Sequence, residues 1–214
     1  LSVVVPIGVI VAIAILCIVI AVLSSAQRAD EVAVDHEKQM LSSALGKYGE
    51  RVLREVESVA TSDAAIKNIR LDFDRAWAEQ RVGLWLEAFF DHDYVFIFDG
   101  ADKPVYSLDR HAVEPNWLET ARPELGAVLD FMRGRDSTLD GAIRLNELGV
   151  SAGGAHSQAA VIRRLLGRPA VIAAVAVGPI SGIPPSFDTA APVLMSVKFI
   201  DSDVLAGVAS QLRI

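Results

Sequence analysis

DHDYVFIFDGADKPVYS, residues 91–107, contains two strands and the turn between them. Tyr94 to Asp99 is a short β-branched and aromatic run, Gly100-Ala101-Asp102-Lys103 supplies a loop, and Pro104 to Ser107 opens a second strand. That pattern predicts a β-hairpin. Upstream the period is helical. Residues 74–90 place Trp77, Arg81, Val82, Trp85, Leu86 and Phe89 close to one face, which predicts an amphipathic helix with its core side there. Thr61-Ser62-Asp63 offers capping side chains for another helix starting at that point. Downstream, residues 114–132 predict a helix with Trp117, Leu118, Leu125 and Leu129 as its apolar positions. The last third returns to strands. Residues 159–166 and 170–177 flank the turn signal Gly167-Arg168-Pro169, and 193–199 alternate as a half-buried strand before Asp201-Ser202-Asp203 caps a final helix. Residues 133–154 and 179–192 read as loops. Five antiparallel strands with helices grouped on one side make an α+β domain.

Working further toward the N-terminus, residues 1–23 contain no charged side chain. A run of that length is long enough to cross a bilayer as a helix, and only a helix satisfies its own backbone there. The rival reading is a secretory signal peptide, since Ser24-Ser25-Ala26 resembles a small-residue cleavage site; the run is longer than an ordinary signal-peptide core. Between span and domain, Leu41, Leu45, Tyr48, Val52, Val56 and Val59 recur at steps of three or four. This stripe fits a coiled-coil seam in a dimerising stalk, and equally one long helix packed on its own domain. The expected organisation is a transmembrane helix at 1–23, a helical stalk at 24–60 and a domain at 61–214 that ends in a helix. Lacking an initial methionine and ending in a helical pattern, the chain reads as part of something longer.

Composition excludes several functions. The formal net charge of −7 lies wholly outside the apolar run, which argues against nucleic acid or an anionic membrane surface as ligand. Cys17, the single cysteine, is inside that run, so the soluble part has neither a disulfide nor a thiol nucleophile. His92 lies between Asp91 and Asp93, but neighbouring residues on an extended segment face opposite ways and rarely share an ion; a solvated loop is the plainer reading. His36, His111 and His156 have no ligand-spaced neighbours. Ser151 to Ser157, with Gly153-Gly154, lacks the strand–turn–helix setting of a nucleophile elbow, and no phosphate-loop, dinucleotide or zincin pattern occurs. The expectation is a non-enzyme without cofactor or metal. A small-molecule pocket remains: Tyr94, Phe96, Tyr106 and Trp117 are candidates to line it, and Arg75, Arg81, Asp93 and Asp99 to orient a ligand. For the aromatics the alternative is plain core; for Asp99 it is a turn-capping residue.

Three segments carry a family resemblance: DHDYVFIFDGADKPVYS (91–107) behind the helix with Trp77, Gly83 and Trp85, then GRPAVIAAVAVGPI (167–180) and APVLMSVKFID (191–201). Together they resemble the CHASE extracellular sensor domains of bacterial receptors, fourth class, over most of residues 55–214. The resemblance implies a PAS-like domain between two membrane helices, facing the periplasm from the inner membrane; the stripe from Leu41 to Val59 adds the expectation of a homodimer. It also implies an unidentified small-molecule ligand and a cytoplasmic diguanylate cyclase, phosphodiesterase or histidine kinase as output. In many relatives the segment near Asp63 carries a tryptophan; here Ser62-Asp63-Ala64-Ala65-Ile66 keeps only the acid. The alternative from another class is a membrane-anchored structural or protein-interaction domain without a small-molecule ligand.

Overall fold

A computed structural model of the chain describes residues 38–110, 117–136, 139, 157–179 and 190–212. The expected membrane helix at 1–23 and the first part of the expected stalk lie outside these residues, as do the Gly153-Gly154 segment, His36, His111 and His156. The chain divides into two compact units, Leu1–Ala44 and Leu45–Ile214. In the first, described residues 38–44 are helical. All that follows concerns the second. Among the described residues, no helix is long and apolar enough to cross a membrane.

The second unit opens with helix α1 (45–60). Helix α2 follows as Asp63–Ala65, widening to π-helical rings over Ile66–Leu71. The expected cap is present: the Ser62 hydroxyl accepts from the Ala65 amide at 3.1 Å. Helix α3 runs through Arg75–Ala78, a π segment Glu79–Gly83 and Leu84–Phe90, with Asp74 accepting from the Trp77 amide at 3.0 Å. Strands β1 (Tyr94–Phe98) and β2 (Pro104–Asp109) form the predicted hairpin. Helix α4 (Trp117–Met132), β3 (Gln158–Leu165), β4 (Arg168–Ala176), β5 (Val193–Phe199) and helix α5 (Ser202–Leu212) complete the α+β unit. The described strands make one antiparallel sheet in the order β2-β1-β5-β4-β3.

Both faces of that sheet are covered, which corrects the expectation of helices on one side. Val95, Ile97, Tyr106, Val171, Ala173 and Leu194 pack with α1, α2 and α3. Tyr94, Phe96, Phe98, Ile172, Met195 and Val197 pack with Leu125, Val128, Leu129 and Met132 of α4. A strand presents alternate residues to opposite faces, so YVFIF, apolar at every position, needs an apolar layer above and below. The same reasoning corrects β5, expected to be half-buried: only Lys198 is not buried along it. Full burial of side chains such as Phe96 and Ile97 contributes about 1.5–3 kcal/mol each.

Three local readings change for identifiable reasons. Helix α3 buries Ala78, Val82 and Leu86 with Trp77, Trp85 and Phe90 half-buried, whereas Arg81 is exposed and Phe89 is 71 % exposed. Rings closed from i to i+5 over Glu79–Gly83 take up one extra residue, so the buried face after Gly83 falls on Leu86 and Phe90. The β3–β4 turn is centred on Leu166 and Gly167, at φ 49° and 78°, rather than on Arg168-Pro169, which begin β4. A two-residue turn with positive φ at both centres matches the twist of the flanking strands. Of the two readings of the α1 stripe, Tyr48, Val52, Val56 and Val59 belong to the core against the sheet.

Candidate functional site

A cleft of about 350 Å³ lies between α4 and the β1–β2 loop. Its apolar lining comes from Phe98, Leu125 and Leu129, which the core on that face already holds in place. Gly126 leaves the middle of the wall without a side chain: a Cβ built there meets no atom of the described residues within 4 Å. Around this sit Asp102, Glu119, Arg122, Asp130 and Arg135. The volume is at the lower end of the range for small-molecule sites, roughly 300–1,000 Å³.

The charged groups are fixed by one another. Arg133, just past α4 and with its side chain only 10 % exposed, donates from Nε to Asp102 Oδ1 (2.8 Å), from Nη1 to the Ala191 carbonyl (2.6 Å) and from Nη2 to the Asp99 carbonyl (2.7 Å). One guanidinium thereby ties the end of α4 to the hairpin loop and to the segment leading into β5. Arg135 donates to Asp102 Oδ2 at 2.5 Å and to Asp130 Oδ1 at 2.8 Å. Desolvation pushes the Asp102 carboxyl up, but the hydrogen bonds from Arg135 and Arg133 outweigh it and hold the group below the usual carboxylate range. Its bonds to Asp102 and Asp130 push the Arg135 guanidinium up. Arg122 pairs with Glu119 on the helix surface at 3.3 Å.

The residues singled out from sequence are distributed otherwise. Tyr94 and Phe96 stack at 6.5 Å on the α4 face, and Phe96 lies 5.8 Å from Phe98, which lines the cleft. Tyr106 is on the opposite face, beneath α3, where burial pushes its hydroxyl up to about 12. Arg75 and Arg81 are exposed on α3. Asp93 accepts from the Phe199 amide at 2.7 Å, binding β1's start to β5's end. Asp99 accepts from the amides of Ala101 and Lys103 at 2.9 and 2.8 Å, the turn-capping role. Trp117 begins α4, and its side chain lies outside the described residues. Asp102, Arg122, Gly126, Asp130, Arg133 and Arg135 were not among the candidates. A glycine in mid-helix beside Leu125 and Leu129, with Arg122 and Asp130 four residues away on either side, is the signal the sequence offers.

A second polar group sits on the other face. His92, expected on a solvated loop, is 0 % exposed, with Nε2 3.0 Å from Glu55 Oε2 of α1. Asp91, at φ 54°, ends α3 in a left-handed turn and so delivers His92 inside. Among the described residues, His92 Nδ1, the Tyr48 hydroxyl and the Ser196 hydroxyl are buried without a hydrogen-bond partner. Desolvation pushes the Tyr48 hydroxyl well up. Lys198 donates to the Phe90 carbonyl, closing the end of α3. No group of three or more histidine, cysteine or acidic side chains among the described residues is placed to hold a metal ion.

A family model described as the CHASE4 domain matches residues 44–214, beginning one residue before the second compact unit. No curated protein matches the chain.

Proposed function

The chain belongs to the CHASE4 domain family, a class of extracellular sensor domains rather than catalytic ones, and from that premise we propose that it is the ligand-sensing part of a bacterial membrane receptor. In this reading residues 1–23 anchor it in the inner membrane, the PAS-like domain faces the periplasm, and two copies associate. A cytoplasmic output module, a diguanylate cyclase or phosphodiesterase or a histidine kinase, reads the result through α5. The observation that carries the proposal is the cleft beside α4: an apolar wall of Phe98, Leu125 and Leu129, space at Gly126, and converging charged groups. Phe96 and Tyr94 back that wall and act as supports for it. Arg75, Arg81 and Tyr106, on the opposite face, are not assigned to it. Occupancy shifts output only by the ligand's differential affinity for the two states of the domain.

The exposed apolar pair Leu84 and Phe89 on α3, with the Trp85 ring tilted against Phe89 at 5.7 Å, favours a second reading as a protein-interaction domain. A thermal-shift screen of the full chain in detergent micelles separates the two. A ligand at a hundred times its Kd adds about 2.7 kcal/mol, roughly 5–10 °C for a domain of this size. The shift should vanish in Gly126→Leu, which fills the cleft. A shift of equal size in both proteins would place the site elsewhere.

A further inference from the structure

We propose that the cleft beside α4 takes a small molecule with an apolar body and no net charge, carrying both a hydrogen-bond donor and an acceptor. The inference rests on the cleft being the sensor site and goes on to name the chemistry it selects. The balance of charge there differs from that of the chain. Asp102, Glu119 and Asp130 face Arg122 and Arg135, and Arg133 adds a third guanidinium bonded to Asp102. Among the described residues, three carboxylates against three guanidiniums make a neutral patch on a protein of net charge −7.

Each carboxylate already has a cationic partner: Asp102 has two, Asp130 shares Arg135, and Glu119 has Arg122. A ligand of net negative charge gains from the arginines but meets three carboxylates; a cation meets the reverse. Either must also give up hydration against the wall of Phe98, Leu125 and Leu129. A molecule of zero net charge avoids the unbalanced repulsion; an uncharged one also avoids the dehydration, and a zwitterion does so by keeping both charges at the exposed rim. The Glu119–Arg122 pair is the place for its polar end, because these side chains are 69 % and 73 % exposed and joined at only 3.3 Å. An acceptor on the ligand can meet the guanidinium and a donor the carboxylate, leaving the pair's charge balanced. Asp102 is unsuited to that role, since both its oxygens are engaged by arginines.

Four probes with one benzyl body test the rule on the full chain in non-ionic detergent: phenylacetamide (neutral), phenylalanine (zwitterionic), phenylacetate (anionic) and phenethylamine (cationic). Calorimetry or saturation-transfer NMR should show the neutral and zwitterionic probes binding roughly tenfold more tightly than the two ions. Their affinity should hold when salt rises from about 20 to about 300 mM, because no net charge is there to screen. Gly126→Leu should abolish binding, with Gly126→Met as a second filling variant and thermal melts confirming that both fold. Phenylacetate or phenethylamine binding as tightly as the amide, and being lost in Gly126→Leu, would overturn the charge rule while leaving the cleft as the site. Binding of every probe that persists in Gly126→Leu, or no binding by any, would overturn the charge rule and the cleft together.

Discussion

Gly83 and Gly126 both lie within helices, and the same substitution should move stability in opposite directions at the two. Alanine in place of glycine in a helix interior gains about 0.8–1.0 kcal/mol from backbone entropy. At Gly126 nothing among the described residues lies within 4 Å of the new Cβ, so the whole gain should appear, as a rise in Tm of roughly 2–4 °C for a unit of this size. At Gly83 the new Cβ falls 2.0 Å from the Tyr106 hydroxyl oxygen, 2.9 Å from its Cζ and 3.0 Å from Leu108 Cδ1. Tyr106 is a rigid ring in the core and cannot swing aside as a lysine could, so the strand or the helix must shift. Overpacking of this kind costs about 1–3 kcal/mol, which cancels or exceeds the helical gain. The two variants should therefore differ by about 1–3 kcal/mol, Gly126→Ala being the more stable. Tyr106→Phe removes the atom closest to the clash and should recover part of the loss in the double variant, a coupling that a double-mutant cycle reads directly. Chemical melts in urea with a common slope give the numbers. Gly83→Ala equal to or more stable than Gly126→Ala would refute the packing of α3 on β2.

His92→Ala should destabilise by about 3 kcal/mol because it strips one partner from a buried pair, while Glu55→Gln, which keeps an acceptor facing Nε2, should cost less than half of that; equal urea midpoints would remove the pair's significance. The depressed Asp102 carboxyl contributes stability that is present above the ordinary carboxylate range and is lost as pH falls through the folded value. The stability gap between wild type and Asp102→Asn should thus be full at neutral pH and close below about pH 4, and a gap independent of pH would contradict the Arg133–Asp102–Arg135 network. Val52→Asp should unfold the domain at every protein concentration, as seen by circular dichroism, because Val52 is core; a folded monomer would return the stripe to a seam between copies. On the proposed receptor reading, one residue inserted after Leu212 in the full-length protein turns the following helix by about 100° and should alter output in a reporter assay, whereas seven restore nearly the same face.

Local signals were readable from the chain. Ser62 and Asp201 are caps because a short polar side chain before an apolar-periodic run has a free amide within reach, and YVFIF is a strand because no helix of five residues could bury all of it. The phase of α3 was not readable, since an i to i+5 ring leaves no mark in composition and moves the buried face from Phe89 to Phe90. The two sides of the sheet were not separable either, as an apolar residue at every position fits a covered sheet whichever helix does the covering. The site itself depends on pairs distant in sequence: Asp102 with Arg133, 31 residues apart, and with Arg135, 33 apart. Charge and periodicity at one position carry no information about such partners.

The bonds Glu55–His92 and Asp93–Phe199 also set how the domain carries force. Strand β5 runs antiparallel to β1, so the last strand ends beside the first one's start. Tension along α5 reaches the Phe199 amide, passes to Asp93 through a 2.7 Å bond, crosses one peptide link to His92, and leaves through a 3.0 Å bond to α1. Phe199 belongs to one apolar core and Val52, Val56 and Val59 of α1 to the other, so the path links the two layers. Load along it falls on short directional bonds, which weaken steeply once misaligned. A displacement of the last helix therefore has a continuous bonded route to the first, with His92 as the rivet that fastens the strand end to α1.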